Sequence, residues 1–208
     1  VFTGATDNDA IGGMRIGALT IGKLAGQKLN LTSGFEGFVR YGIGFGPSSG
    51  DLDIDPAASL TVISDSSGTG WIDDFTFGPT TGSIIGDVTI QRYVNNPGNA
   101  FHYLGSMTSG ATAADWSDDF SIASTGATGG HLSHVIPFFG CDPTQLDPNS
   151  PYGGLFDYVE SVVTNCELEG WRVIADGTYP LSAGTGFAGI IPNGTVVDVT
   201  GNPNTAKT

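Results

Sequence analysis

Gly86-Asp87-Val88-Thr89-Ile90-Gln91-Arg92-Tyr93-Val94 is the stretch on which the fold of this chain turns. Val88, Ile90 and Arg92 alternate with Thr89, Gln91 and Tyr93, the two-residue period of a strand with unlike faces. It carries one of four arginines, and Asn95-Asn96-Pro97-Gly98-Asn99 behind it spells a turn or loop. The text changes character here, from short aliphatic clips before the stretch to aromatic strands and long polar loops after it. The stretch therefore marks a seam between two β modules, 1–86 and 87–208, with Arg92 and Tyr93 placed to tie them together.

Upstream, the apolar residues come as Leu19-Thr20-Ile21, Leu29-Asn30-Leu31, Leu52-Asp53-Ile54, Leu60-Thr61-Val62 and Val88-Thr89-Ile90. Each clip points two aliphatic side chains one way and a polar one the other. The pair of clips at 19–33 resembles the pair at 52–64, a repeat about 30 residues long. Strands this short cannot bury a face alone, so neighbours must stack on them. The expectation for 1–86 is a repetitive, solenoid-like β module. Phe35, Phe38, Tyr41, Phe45, Trp71, Phe75 and Phe77 interrupt the clips as core filler or end caps.

Downstream, strands are expected at Phe101–Ser106, Phe156–Ser161, Gly170–Ile174, Leu181–Ile191 and Thr195–Thr200. Short strands at this spacing suggest a β-sandwich over 87–208, and the whole chain reads as all-β. Between Cys141 and Gly154 lies a long loop with three prolines, a candidate for functional decoration. Cys141 and Cys166, the only cysteines, suggest a disulfide in an oxidising compartment; two buried free thiols are the alternative. A bridge would close a loop of roughly 25 residues, worth about 3 kcal/mol if unstrained.

Composition narrows the function. Thirty-three glycines and eleven prolines fit many tight turns. Charged residues make up only 13% of the chain, as in extracellular structural modules, and the formal net charge is −14. With seven basic residues there is no patch to displace counterions from phosphate, so nucleic acid is excluded as a partner. No run approaches the ~20 apolar residues of a membrane helix. Val1-Phe2-Thr3-Gly4 reads as mid-strand rather than as a signal peptide, so a mature or excised piece of a longer protein is expected.

The order of the motifs carries a resemblance. Asp87–Val94 is followed by the aromatic strand Phe101–Ser106, then by Asp115-Trp116, Phe156-Asp157-Tyr158, Gly170-Trp171 and Leu181–Phe187. From about Leu19 to Phe187 the chain resembles a module of large secreted, adhesin-like surface proteins of the Bacteroidota. That resemblance implies export by the type IX secretion system and a place at the outer cell surface or beyond it. It departs from the family at Ser106-Met107-Thr108, where the family carries Ser-Ser-Pro, and in the Cys141–Cys166 insertion.

Catalytic chemistry is poorly represented. Asp73-Asp74 and Asp118-Asp119 are adjacent residues, which point to opposite faces of a strand and so cannot supply the spaced carboxylate pair of a glycosidase. His131 and His134 lack the further ligands that zinc requires. Asp51, Asp53 and Asp55 would share one strand face and are the candidate calcium ligands. Trp71, Trp116 and Tyr152 are the candidates for stacking on sugar rings. The expected function is a non-catalytic structural or adhesive module, assembling by strand addition, with a carbohydrate-binding module as the alternative. Its expected partners are neighbouring domains or copies of the same protein, the secretion machinery and surface glycans.

Overall fold

The computed structural model describes residues 14–46, 50–72, 82–95, 100–120, 122, 154–159, 171–174 and 177–203. The protein is all-β: among the described residues the one helical element is a 3₁₀ turn at Ala113–Trp116. It divides into two compact units, the first reaching Tyr93 and taking back Met107–Gly110 and the stretch from Asp198, the second holding Val94–Ser106 and Ala111–Val197. The break in the chain thus falls after Tyr93, and residues beyond it return to the first unit.

In the first unit the chain alternates between two sheets. The first passage is β1 (Met14–Ile21) and β2 (Lys28–Leu31), and the second is β3 (Glu36–Phe45) and β4 (Asp51–Ile54). The third begins with β5 (Ser59–Val62), detours through β6 (Ser64–Asp65) and β7 (Gly68–Thr69), and resumes at β8 (Trp71–Ile72) and β9 (Ile84–Ile85). β10 (Val88–Tyr93) opens the next passage. One sheet runs β1-β3-β5-β10-β16-β12, with β8 also on β3, and the other runs β2-β4-β9. β12 is Thr108–Ser109 and β16 is Val196–Pro203.

Each passage lies parallel to the one before. Leu29 sits against Leu52, 23 residues on, and Val39 against Val62, again 23 residues on. The repeat is therefore shorter than the 30 residues suggested by the clips, and the clips stack differently. Leu29-Asn30-Leu31 lies on Leu52-Asp53-Ile54, while the register continues from Val39 to Val62 to Ile90. The turns stack too: the Gly34 N–H donates to the Ala57 carbonyl at 3.1 Å, and the Ser59 N–H to the Phe35 carbonyl at 2.8 Å. Those contacts set the offset that clip similarity alone leaves open. The inward aliphatics form the core, with Val39, Ile43, Leu52, Val62 and Val88 fully enclosed. Removing such area from water stabilises by about 25 cal/mol per Å².

Two glycines are demanded by this packing. Gly86 holds φ +95°, and a Cβ there would collide with the Ile54 carbonyl oxygen. Gly42 faces the Trp71 indole, where a Cβ would stand 2.7 Å from ring atoms. Only glycine escapes both restrictions.

The second unit centres on one antiparallel sheet ordered β11-β15-β13-β14. Its strands are Ala100–Gly105 (β11), Leu155–Tyr158 (β13), Trp171–Val173 (β14) and Gly186–Ile191 (β15). Leu155, Phe156, Phe187, Ala188 and Ile191 are buried in it. The 3₁₀ turn begins where the Asp115 carboxylate accepts hydrogen bonds from the Thr112 N–H at 2.7 Å and its hydroxyl at 3.1 Å.

Candidate functional site

The outward faces of the first unit carry its exposed chemistry. On the β2-β4-β9 sheet, Leu52 and Ile54 turn inward, so Asp51 and Asp53 turn outward together, as the alternation requires. Each carboxylate is nevertheless committed to its own partner. Asp51 Oδ1 accepts from the Ser83 hydroxyl at 2.8 Å and from its N–H at 3.0 Å. Asp53 Oδ2 accepts from Lys28 Nζ at 2.8 Å, which raises the ammonium's pKa above its ordinary value. Asp55 closes its own turn by accepting from the Ala57 N–H at 2.8 Å. Among the described residues no three of His, Cys, Asp and Glu are gathered as a metal-holding group. The carboxylates proposed for calcium are occupied by a lysine, a serine and a backbone amide.

The other sheet carries two exposed aromatic side chains, Tyr41 and Trp71. Alternation through Val39 and Ile43 would turn Tyr41 inward, yet it is 64% exposed. The reason is a register shift between Ile16 and Ala18, where Arg40 and Tyr41 together stand opposite the single Gly17. Such a bulge re-aims side chains. The Tyr41 ring leans over Gly17, whose added Cβ would meet it at 3.6 Å. Trp71, 55% exposed, lies on Gly42 in the same manner. A neighbouring glycine under each ring lets it lie close to the sheet with aromatic surface left to solvent.

Beside them the Arg40 guanidinium donates in a two-pronged fashion to Asp65, at 2.8 and 3.0 Å. The Ser67 N–H reaches the same carboxylate at 2.7 Å. The backbone amide first, and then the guanidinium, hold Asp65 below the usual carboxylate range. Ser64, buried at the base of this hairpin, meets Thr69 and accepts from the Tyr93 N–H at 2.8 Å. Sequence reading missed the Arg40–Asp65 pair; the turn signal Asp65-Ser66-Ser67-Gly68 was the available clue.

The remaining candidates separate clearly. Trp116 is only 2% exposed and is a core residue of the second unit, so it cannot stack on a ligand. Its ring meets Phe187 edge-on, with centroids 5.8 Å apart, and Phe120 at 6.5 Å. Burial of the aromatic anchor beneath the 3₁₀ turn is the physical reason. Tyr152, Cys141 and Cys166 lie outside the described residues. Arg92 is exposed and contacts the Met107 sulfur at 3.5 Å, while Tyr93 is held through its backbone to Ser64. Both contacts are internal to the first unit. In the second unit, buried Asp157 accepts from the Tyr179 hydroxyl at 2.6 Å. Among the described residues no helix is long and apolar enough to cross a membrane.

In comparison with known proteins, the chain matches no family model, no curated protein and no solved structure.

Proposed function

We propose that this chain is a non-catalytic structural or adhesive β module of a secreted or surface-anchored protein, its first unit a short β-solenoid. The observation that carries this reading is how the acids are used. Asp51, Asp53, Asp55, Asp65, Asp115 and Asp157 each accept a hydrogen bond within the fold. Carboxylates engaged in this way act as struts between neighbouring strands and turns, whereas a hydrolytic pair would face a common cleft. The low share of charged residues and the resemblance to Bacteroidota surface modules support an extracellular setting and type IX export. Turnover of any polysaccharide by the full chain, abolished by one Asp→Asn change without loss of stability, would overturn the non-catalytic reading. Fractionation of the native producer, with and without its export machinery, tests the location.

The second reading is carbohydrate binding at the exposed Trp71. The exposed Trp71 indole over Gly42 favours it, because a flat, solvent-facing π surface suits the C–H face of a pyranose. Trp116 takes no part. A glycan array read with the full chain and with Trp71→Ala decides: binding lost in the variant establishes the surface, and an array without hits removes it.

A further inference from the structure

The chain has two methionines, Met14 and Met107. Met14 is half-buried at the start of β1, whereas Met107 is 37% exposed. Met107 stands where the chain, having left the first unit after Tyr93, comes back to it for Met107–Gly110. Thr108 and Ser109 then pair with Pro203 and Asn202 of β16, and Ser109 Oγ donates to the Asn202 carbonyl at 3.2 Å.

The Met107 sulfur itself is met from β10, where Arg92 Nη2 donates to Sδ at 3.5 Å. A thioether is only a weak acceptor. Arg92 is exposed, and among the described residues no carboxylate forms an ion pair with it. A permanent cation is therefore aimed at an atom that gives it little in return. A guanidinium makes its stronger hydrogen bonds to oxygens that carry negative charge. Oxidation of the sulfur creates such an oxygen at this spot, because the S–O bond of a sulfoxide is polarised with its negative end on oxygen.

We propose that Met107 is a site of reversible oxidation by hydroperoxides, and that Arg92 holds the sulfoxide, turning a weak contact into a latch between β10 and residues 107–110. The Met107 sulfur donates an electron pair to one peroxide oxygen, so that an S–O bond forms as the O–O bond breaks. The departing hydroxide takes the proton from the oxygen now on sulfur and leaves as water. Sulfur loses two electrons and the peroxide gains them. A dithiol-dependent sulfoxide reductase returns the thioether, releasing the oxygen as water and closing a disulfide on the reductant. The sign of the effect on stability distinguishes this site from a core methionine. In a core, a sulfoxide disrupts apolar packing. At Met107 the sulfur already faces a cation, so the added oxygen gains a charge-assisted partner. The inference is independent of the structural, adhesive reading, since it concerns a modification of the chain and not its partners.

The test uses the full chain carrying Met14→Leu, so that Met107 is its one methionine. Dilute hydrogen peroxide is expected to add one oxygen to the peptide containing Met107, and methionine sulfoxide reductase to remove it, both followed by mass spectrometry. Oxidation is expected to raise the melting temperature by about 2 °C and to slow hydrogen exchange across residues 107–110. Adding Met107→Leu and treating the chain identically should leave no shift, which assigns the effect to this sulfur. Arg92→Leu should abolish the shift, and Arg92→Lys, which keeps a cationic donor, should retain part of it. Each variant is compared with its own unoxidised form, so a lower starting stability does not obscure the result. A Met107 that resists peroxide sufficient to oxidise free methionine overturns the proposal. A melting temperature that falls on oxidation, or an equal rise in Arg92→Leu, does so as well. None of these results bears on the non-catalytic reading, which is tested by turnover.

Discussion

An indole laid on Gly42 keeps aromatic surface toward solvent, whereas the Trp116 indole is enclosed between Phe187 and Phe120. Trp116→Ala should therefore cost about 3–5 kcal/mol, and Trp71→Ala about 0.5 kcal/mol or less. Urea unfolding of the two variants checks both values. Gly86→Ala adds a side chain at positive φ against the Ile54 carbonyl and should cost about 1–3 kcal/mol by the same assay. Little of this was legible in the letters: Trp71 and Trp116 both sit among polar and acidic residues, and only the backbone around each ring separates them. Tyr41 shows the same limit. Its parity with Val39 and Ile43 assigns it inward, and one extra residue in β3 relative to β1 turns it out.

Among the elements, the β6–β7 hairpin carries a pH dependence. Asp65 is held below the ordinary carboxylate value, so the stability it lends is present above that value and is lost as pH falls through its lower folded pKa. Exchange of the Gly70 amide, bonded to the Ile63 carbonyl at 2.8 Å, should accelerate in that acid range. Asp65→Asn should show the faster rate at neutral pH as well. Lys28 has the opposite sign: its pKa is raised, so its contribution persists at neutral pH and goes only as alkali passes the raised value. Within the stack, Leu52→Ala should cost about 2–5 kcal/mol and Leu29→Ala less, because Leu52 is fully enclosed and Leu29 is only half-buried. The inward and outward positions of these strands could be read from alternation. Their offset could not, because Leu-Thr-Ile, Leu-Asn-Leu and Leu-Asp-Ile are locally interchangeable and the stacked turns choose among them.

For the whole molecule, the strand at Val196–Pro203 joins the sheet that begins with β1, between β10 and β12. Ending the chain at Val197 should expose the β10 edge, lower the melting temperature and promote association, measured by calorimetry and by light scattering after size exclusion. A truncated chain that stays monomeric with an unchanged melt would refute that role for β16. By itself the sequence determined the all-β class, the aliphatic clips that form the core, and the outward position of Asp51 and Asp53. These follow from composition and from a two-residue period, both of which are local. Only the tertiary structure decided the 23-residue stacking offset, the burial of Trp116, the commitment of Asp51, Asp53 and Asp65 to their partners, and the return of the strand at Val196–Pro203 to β10. Thr89 and Thr200 meet across 111 residues of chain. Such a pairing is selected by backbone hydrogen bonds and shared burial between distant segments, and no pattern within either segment specifies the other.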